Sequence, residues 1–265
     1  MYRNRDYRHL KPAFDMALTL ILWAYFTAGF VLFFAPFYLA AFFFSRNREQ
    51  SFQLLNHQFY KGFFKLLRIL VPATRWHIPN DVLSIRSSVI VCNHISYLDS
   101  ILMISLFEQH RTIVKSRFFK IPIFRQVIEL SGYVPSTSEG DLSDLIIRRI
   151  EEMDCFFEGG GNLFIFPEGT RSRGGAIGRL NKGAFKIARL SQRPIKVLFV
   201  HNTDTLFQPG RFLFNTYFDG TISIEVIASI EPDYQRERLS VSGLMTQVRL
   251  LLETEHSKHL NREDL

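Results

Sequence analysis

From Met16 to Phe44 the chain carries no charged residue. A helix of that length, rising about 1.5 Å per residue, exceeds the ~30 Å hydrocarbon core of a bilayer. The stretch predicts a membrane-inserted helix, too long for the apolar region of a cleaved signal peptide and without an obvious small-residue cleavage site. It can span with tilt, ahead of the alternative of a buried core helix, and Pro36, which removes one backbone donor, also allows a kinked span or a re-entrant pair of half-helices. Phe52, Leu55, Phe59, Phe63, Leu66 and Leu70 then recur at helical spacing, with Lys61, Lys65 and Arg68 on the opposite face. This pattern predicts a helix lying in the lipid interface, ahead of the alternative that it covers a protein core.

Pro72 and Pro79 mark a change of rhythm, after which short apolar runs alternate with helical patterns. The expected organisation is a membrane-anchoring helical segment over residues 1–72 and an α/β catalytic domain over residues 73–265. Strands are predicted at Val89 to Cys92, Thr112 to Lys115, Asn162 to Phe166, Ile195 to Val200 and Thr221 to Ile230, with a short extended piece at Tyr133 to Pro135. Helices are predicted at Ser100 to Phe107, Ile123 to Leu130, Leu142 to Phe157 with Asp141 near its start, Gly183 to Ser191, and Ser240 to Glu253. The fold class is therefore α/β, a mixed sheet flanked by helices, with ligands expected at the C-terminal ends of the strands.

Composition narrows the function. The 265 residues are 47% apolar, enough for a substantial core, and many of the 27 phenylalanines are packed into the first seventy positions. A net charge of +7 suits anionic headgroups or an acidic carrier, and no nucleic-acid module accompanies it. Cationic residues flank the apolar run on both sides, so charge does not set its orientation. The two cysteines, Cys92 and Cys155, show neither disulfide nor zinc-ligand spacing. Unstapled thiols suit a reducing compartment and predict a catalytic part at the cytoplasmic face of a membrane, the inner one if the source is bacterial.

Two loops carry the candidate chemistry. Asn93 and His94 follow the strand ending at Cys92, and Asp99 lies a little over one turn further on. At the start of a helix the carboxylate can orient the imidazole and leave one ring nitrogen as a general base. Phe166 to Ser172 follow the strand starting at Asn162; there Arg171 offers a planar fork for phosphate, Gly169 permits close backbone approach, and Thr170 adds a hydroxyl. Rival readings are a Cys92 thiol nucleophile, a Ser96 nucleophile without the usual elbow, and a metal held by His94, Asp99 and Glu168.

These blocks resemble the glycerolipid acyltransferase family, whose bacterial type is the 1-acylglycerol-3-phosphate acyltransferase. The family's Asn-His-x4-Asp block stands as Asn93, His94 and Asp99, and its Phe-Pro-Glu-Gly-Thr-Arg-Ser block is complete at Phe166 to Ser172. Lys115, the Phe119 to Pro122 segment, Gly132 to Val134, Lys182 to Phe185 and Pro194 add agreement in order. The resemblance implies acyl transfer from acyl-CoA or acyl-acyl carrier protein to the hydroxyl of a lysophospholipid, 1-acylglycerol 3-phosphate foremost, with no cofactor or metal. Other lysolipids, glycerol 3-phosphate, or a catalytically silent lipid-binding protein are the alternatives. It makes His94 and Asp99 catalytic and assigns the acceptor to Asn93, Lys115, Glu168, Gly169, Thr170 and Arg171. An amide near Gly169 is expected to steady the oxyanion. One departure stands out: the family's arginine six residues after Gly132 is Ser138 here. Lys115 and Arg171 alone, or Arg173 or Arg179, are the candidates to make up that charge.

Overall fold

Residues 7–137, 140, 142–172, 176–234 and 240–263 are described by the structure, a computed structural model. Ser138, Asp141 and Arg173 lie outside the described residues. Seven strands among the described residues form one sheet in the order β1-β7-β6-β2-β5-β3-β4. They are β1 (Arg75–His77), β2 (Val89–Cys92), β3 (His110–Val114), β4 (Val134–Pro135), β5 (Asn162–Ile165), β6 (Ile195–His201) and β7 (Thr221–Ile230). β6, β2, β5, β3 and β4 run parallel to one another; β7 is antiparallel to β6, and β1 is parallel to β7. β2 and β5 are buried along their whole length. This is why they read as unbroken apolar runs and take central places covered on both faces. The mixed α/β architecture expected from the sequence is borne out. β1 was missed because three residues between two prolines show no alternation.

At the N-terminus α1 (Tyr7–Ala24) passes into a π-helical stretch, Tyr25–Phe34, and then α2 (Ala35–Phe44). Leu10 to Phe44 form one apolar helix long enough to cross a membrane, and only 22% of its most hydrophobic window is buried. Phe33, Phe37, Phe43 and Phe44 are largely exposed. The helix does not break at Pro36. The widened π turns end just before it, and proline then occupies the first turn of α2, where no amide donor is required.

α3 (Arg48–Leu70) opens on Asn47, whose Oδ1 accepts the Gln50 amide at 3.1 Å. The prediction of an interfacial helix is corrected here, because α3 lies on protein. Phe52, Phe59, Phe63, Phe64 and Leu67 are buried, and Lys61, Lys65 and Arg68 point outward. Its polar groups are buried too: Gln53 donates to the Ser131 carbonyl at 3.0 Å, and Asn56 to the Ser131 hydroxyl at 2.8 Å. Glu49 pairs with Arg111 at 2.8 Å and Arg149 at 3.3 Å. Such directional partners exist only against protein, since hydrocarbon offers none.

The boundary drawn after residue 72 consequently marks the end of α3 rather than a gap in packing. Leu18, Leu22, Phe63 and Leu67 share one apolar core with α4 (Asn80–Leu83), α5 (Leu98–Leu106), α6 (Phe124–Leu130) and one face of the sheet. The helix predicted over 142–157 is interrupted at Glu152, giving α7 (Leu142–Glu151) and α8 (Met153–Glu158). α8, α9 (Gly183–Leu190) and α11 (Val241–Glu263) cover the other face, and α10 (Thr203–Leu206) follows β6 directly.

Candidate active site

β2 and β5 are parallel neighbours, with Val91 opposite Ile165, so the loops leaving their C-terminal ends emerge side by side. The loop after β2 carries His94, whose Nδ1 lies 2.9 Å from Asp99 Oδ2 at the start of α5. The same oxygen accepts the amides of Ile95 and Ser96, each at 2.7 Å. Thr203, at the start of α10, donates its hydroxyl to Asp99 Oδ1 at 2.5 Å. Asp99 is fully buried, and four donors satisfy its carboxylate. That arrangement fixes the tautomer: Nδ1–H faces the carboxylate and the Nε2 lone pair is free to take a proton. The imidazole also stacks on Phe166, with centroids 4.3 Å apart and planes at 25°, so its orientation is held from two sides.

The loop after β5 is bound to the first. Glu168 Oε1 accepts the His94 amide at 3.3 Å and Oε2 accepts the Gly178 amide at 2.8 Å. The Ser172 amide donates to the His94 carbonyl at 2.8 Å. Burial raises Glu168 above the usual carboxylate range, while the Gly178 and His94 amides work against that rise. Both carboxylate oxygens are engaged by backbone, so Glu168 braces the two loops. Asn93 is likewise turned inward: its amide donates to the Val200 carbonyl at 2.9 Å and accepts the Val200 amide at 2.7 Å. Both residues were grouped by sequence with those holding the acceptor; here their side chains hold the scaffold. Gly169 has φ +66°, in the left-handed region, and its own amide closes the turn on the Phe166 carbonyl at 3.0 Å. An oxyanion donor in this loop is therefore not the Gly169 amide.

Arg171 is a cation carried by the loop after β5. Its guanidinium lies over the Tyr97 ring, 3.2 Å from the centroid, and its Nη1 is buried without a partner among the described residues. Burial draws it below the ordinary guanidinium range, opposed by Tyr97 and Asp99 and reinforced by the like charge of Arg117. Thr170 is exposed beside it, and Lys115 is exposed at the end of β3, the strand next to β5. Arg117 was missed on sequence. It sits in the 3-10 turn Ser116–Lys120, and Ser116 Oγ is tied to Thr137 Oγ1 at 2.8 Å.

An apolar cavity of about 510 Å³ opens beside Tyr97. Leu98 and Ile101 of α5, Phe207, Phe214, and Leu22, Trp23 and Phe26 of the N-terminal helix line it. The site therefore combines an oriented imidazole, a guanidinium stacked on Tyr97 with Nη1 unpartnered among the described residues, and an apolar cavity that Tyr97 also lines. The nucleophile rivals fall on geometry. Cys92 is buried and its thiol is pushed up by burial, with Asp99 and Glu168 adding to the effect. Ser96 is fully buried and donates to the Phe207 carbonyl at 2.8 Å.

Comparison with known proteins places this geometry. Residues 73–199 match the family model described as Acyltransferase. The chain is 32% identical over 123 residues to the chloroplastic 1-acyl-sn-glycerol-3-phosphate acyltransferase BAT2 of Brassica napus, covering 46% of this chain and 35% of that one. It is 27% identical over 173 residues to the 1-acyl-sn-glycerol-3-phosphate acyltransferase of Borreliella burgdorferi, covering 64% and 68%. The chain spans about a third of the BAT2 relative, 28% of the LPAT1 relative from Arabidopsis thaliana and half of the acl-2 relative from Caenorhabditis elegans. In fold it is similar to the crystal structure of the 1-acyl-sn-glycerophosphate (LPA) acyltransferase PlsC from Thermotoga maritima, with a TM-score of 0.69 at 21% identity over 94% of this chain and 97% of that one. The segment from residue 73 to residue 199, which carries both sequence blocks on adjoining strand ends, is the part of the chain that matches the acyltransferase family model.

Proposed function

We propose that this chain transfers a fatty acyl group from a thioester carrier, acyl-CoA or acyl-acyl carrier protein, to the free hydroxyl of a lysophospholipid, foremost 1-acylglycerol 3-phosphate. The observation that carries the reading is the His94–Asp99 pair, 2.9 Å apart, set beside Arg171 and the apolar cavity. The acceptor hydroxyl gives its proton to His94 Nε2 as its oxygen attacks the thioester carbonyl. Asp99 stabilises the imidazolium, and Thr203 and the two amides keep Asp99 in place. Collapse of the tetrahedral intermediate breaks the C–S bond, and the leaving sulfur recovers the proton from His94. No covalent acyl-enzyme is formed, in keeping with the burial of Cys92 and Ser96.

Arg171, with Arg117 and Lys115, receives the acceptor phosphate. Arg171 is half-buried on the Tyr97 ring with Nη1 lacking a hydrogen-bond partner among the described residues, and a dianionic headgroup supplies one. The apolar Leu10 to Phe44 helix supports a site at a membrane, and free thiols without a disulfide pattern favour catalytic loops on its cytoplasmic side. The test is an acceptor panel offered with one labelled acyl donor: 1-acylglycerol 3-phosphate, glycerol 3-phosphate and lysolipids without a free phosphate. Strong preference for 1-acylglycerol 3-phosphate, abolished in His94→Ala while vesicle binding persists, is the expected result. Equal use of a lysolipid lacking phosphate overturns the acceptor assignment, and undiminished transfer by His94→Ala overturns the mechanism.

A further inference from the structure

On the face of the sheet away from α5, a second group of polar side chains has no part in this chemistry. His201 closes β6, Glu225 lies on β7 beside it, and Glu255 reaches in from α11. One ligand atom from each lies within 4.8 Å of those from the other two. His201 is 6% exposed and Glu255 8%, with Glu225 half-buried. His259, one helical turn after Glu255 on the same side of α11, brings its ring to 4.7 Å from that of His201. The neighbouring cation, Lys258, reaches Glu255 at 3.1 Å with most of its side chain in solvent.

Two carboxylates brought together in a partly buried setting repel each other unless a positive charge lies between them. We propose that His201, Glu225 and Glu255, with His259 as fourth donor, bind a first-row divalent cation, zinc foremost. Imidazole nitrogens favour zinc and its neighbours over magnesium or calcium, which take oxygen alone. Tetrahedral donors about 2.1 Å from zinc stand roughly 3.4 Å apart, so modest side-chain rotations complete the site. The four residues come from β6, β7 and α11, and no sequence spacing announces them. The ion staples α11 to the end of β6. Thr203, which holds Asp99, begins two residues later.

The test uses the full chain in detergent, stripped with a chelator and then equilibrated against Zn²⁺, with bound metal and unfolding temperature measured together. One zinc per chain and a raised unfolding temperature are expected. The ratio should persist in His94→Ala, and affinity should fall at least tenfold in His201→Ala and Glu255→Gln. Glu225→Gln, at a half-buried position, keeps the test sound should the buried variants fail to fold. Weakened binding by Glu225→Gln with an unchanged metal-free unfolding temperature supports the site. Zinc held equally by Glu225→Gln and His259→Gln, or lost in His94→Ala, overturns it, as does the absence of binding by the unaltered chain.

Discussion

Thr203 donates its hydroxyl to Asp99 across 104 residues of sequence, from the helix after β6 to the start of α5. Removing it strips one of four donors from a fully buried carboxylate. Thr203→Val should lower kcat by about tenfold, in line with ~1–3 kcal/mol for an unsatisfied buried acceptor, and leave KM for both substrates nearly unchanged. Thr203→Ser should recover most of the rate. Initial rates over both substrate concentrations check this, and a rise in KM without loss of kcat would remove Thr203 from the positioning of Asp99.

Arg171 couples charge to shape, since its plane rests on Tyr97. Arg171→Lys keeps the charge but loses the planar fork and the stacking. KM for the acceptor should rise tenfold or more while KM for the donor stays within about twofold. Arg117→Ala should act in the same direction and more weakly. Equal changes in both KM values would take these residues away from the acceptor.

Gly169 holds φ +66°, and a Cβ there would lie 2.9 Å from Asn181 Nδ2. Gly169→Ala should cost about 1–2 kcal/mol from the left-handed backbone alone. The unfolding temperature should fall by roughly 2–8 °C, with a larger proportional loss of activity because the turn carries Arg171. Calorimetry beside a rate measurement decides it; an unfolding temperature unaltered in Gly169→Ala would show that the loop relaxes freely.

His110 is fully buried between the Phe107 carbonyl and the Tyr133 hydroxyl, each at 2.7 Å. Burial pulls its imidazole down to about 3, so the folded chain keeps it neutral where the unfolded chain takes up a proton. Between the ordinary imidazole value and pH 3 the unfolded state binds more protons, and stability must fall as pH falls. His110→Gln should lower stability at pH 8 and flatten its decline between pH 7 and pH 4. Denaturant titrations across that range test the slope; equal slopes in the two proteins would exclude His110 as its source.

The α/β rhythm and the two loops at strand ends were legible because buried parallel strands write themselves as short apolar runs. What lay against α3 was not legible. An amphipathic helix records that one face is apolar, and lipid and protein satisfy that equally; only the buried partners of Gln53 and Asn56 distinguish them. Within the site, His94, Asp99 and Arg171 were found by residue type. Asn93 and Glu168 were grouped with the acceptor-holding residues, yet their side chains are bonded to Val200, His94 and Gly178. Thr203 gave no signal, because its place beside Asp99 depends on how β6 meets β2. Arg117 gave none because a tight turn, rather than any periodicity, carries it to its position.

The N-terminal helix is bolted in place by Tyr25, whose hydroxyl donates to the Phe59 carbonyl at 2.6 Å above the bare backbone of Gly62. From the same helix, Leu22, Trp23 and Phe26 supply one wall of the apolar cavity. Trimming the chain to its family-matched part for easier handling would therefore leave that chamber roofless, with its greasy interior turned toward solvent. The most apolar segment of the chain is thus also the one that shields this cavity from water.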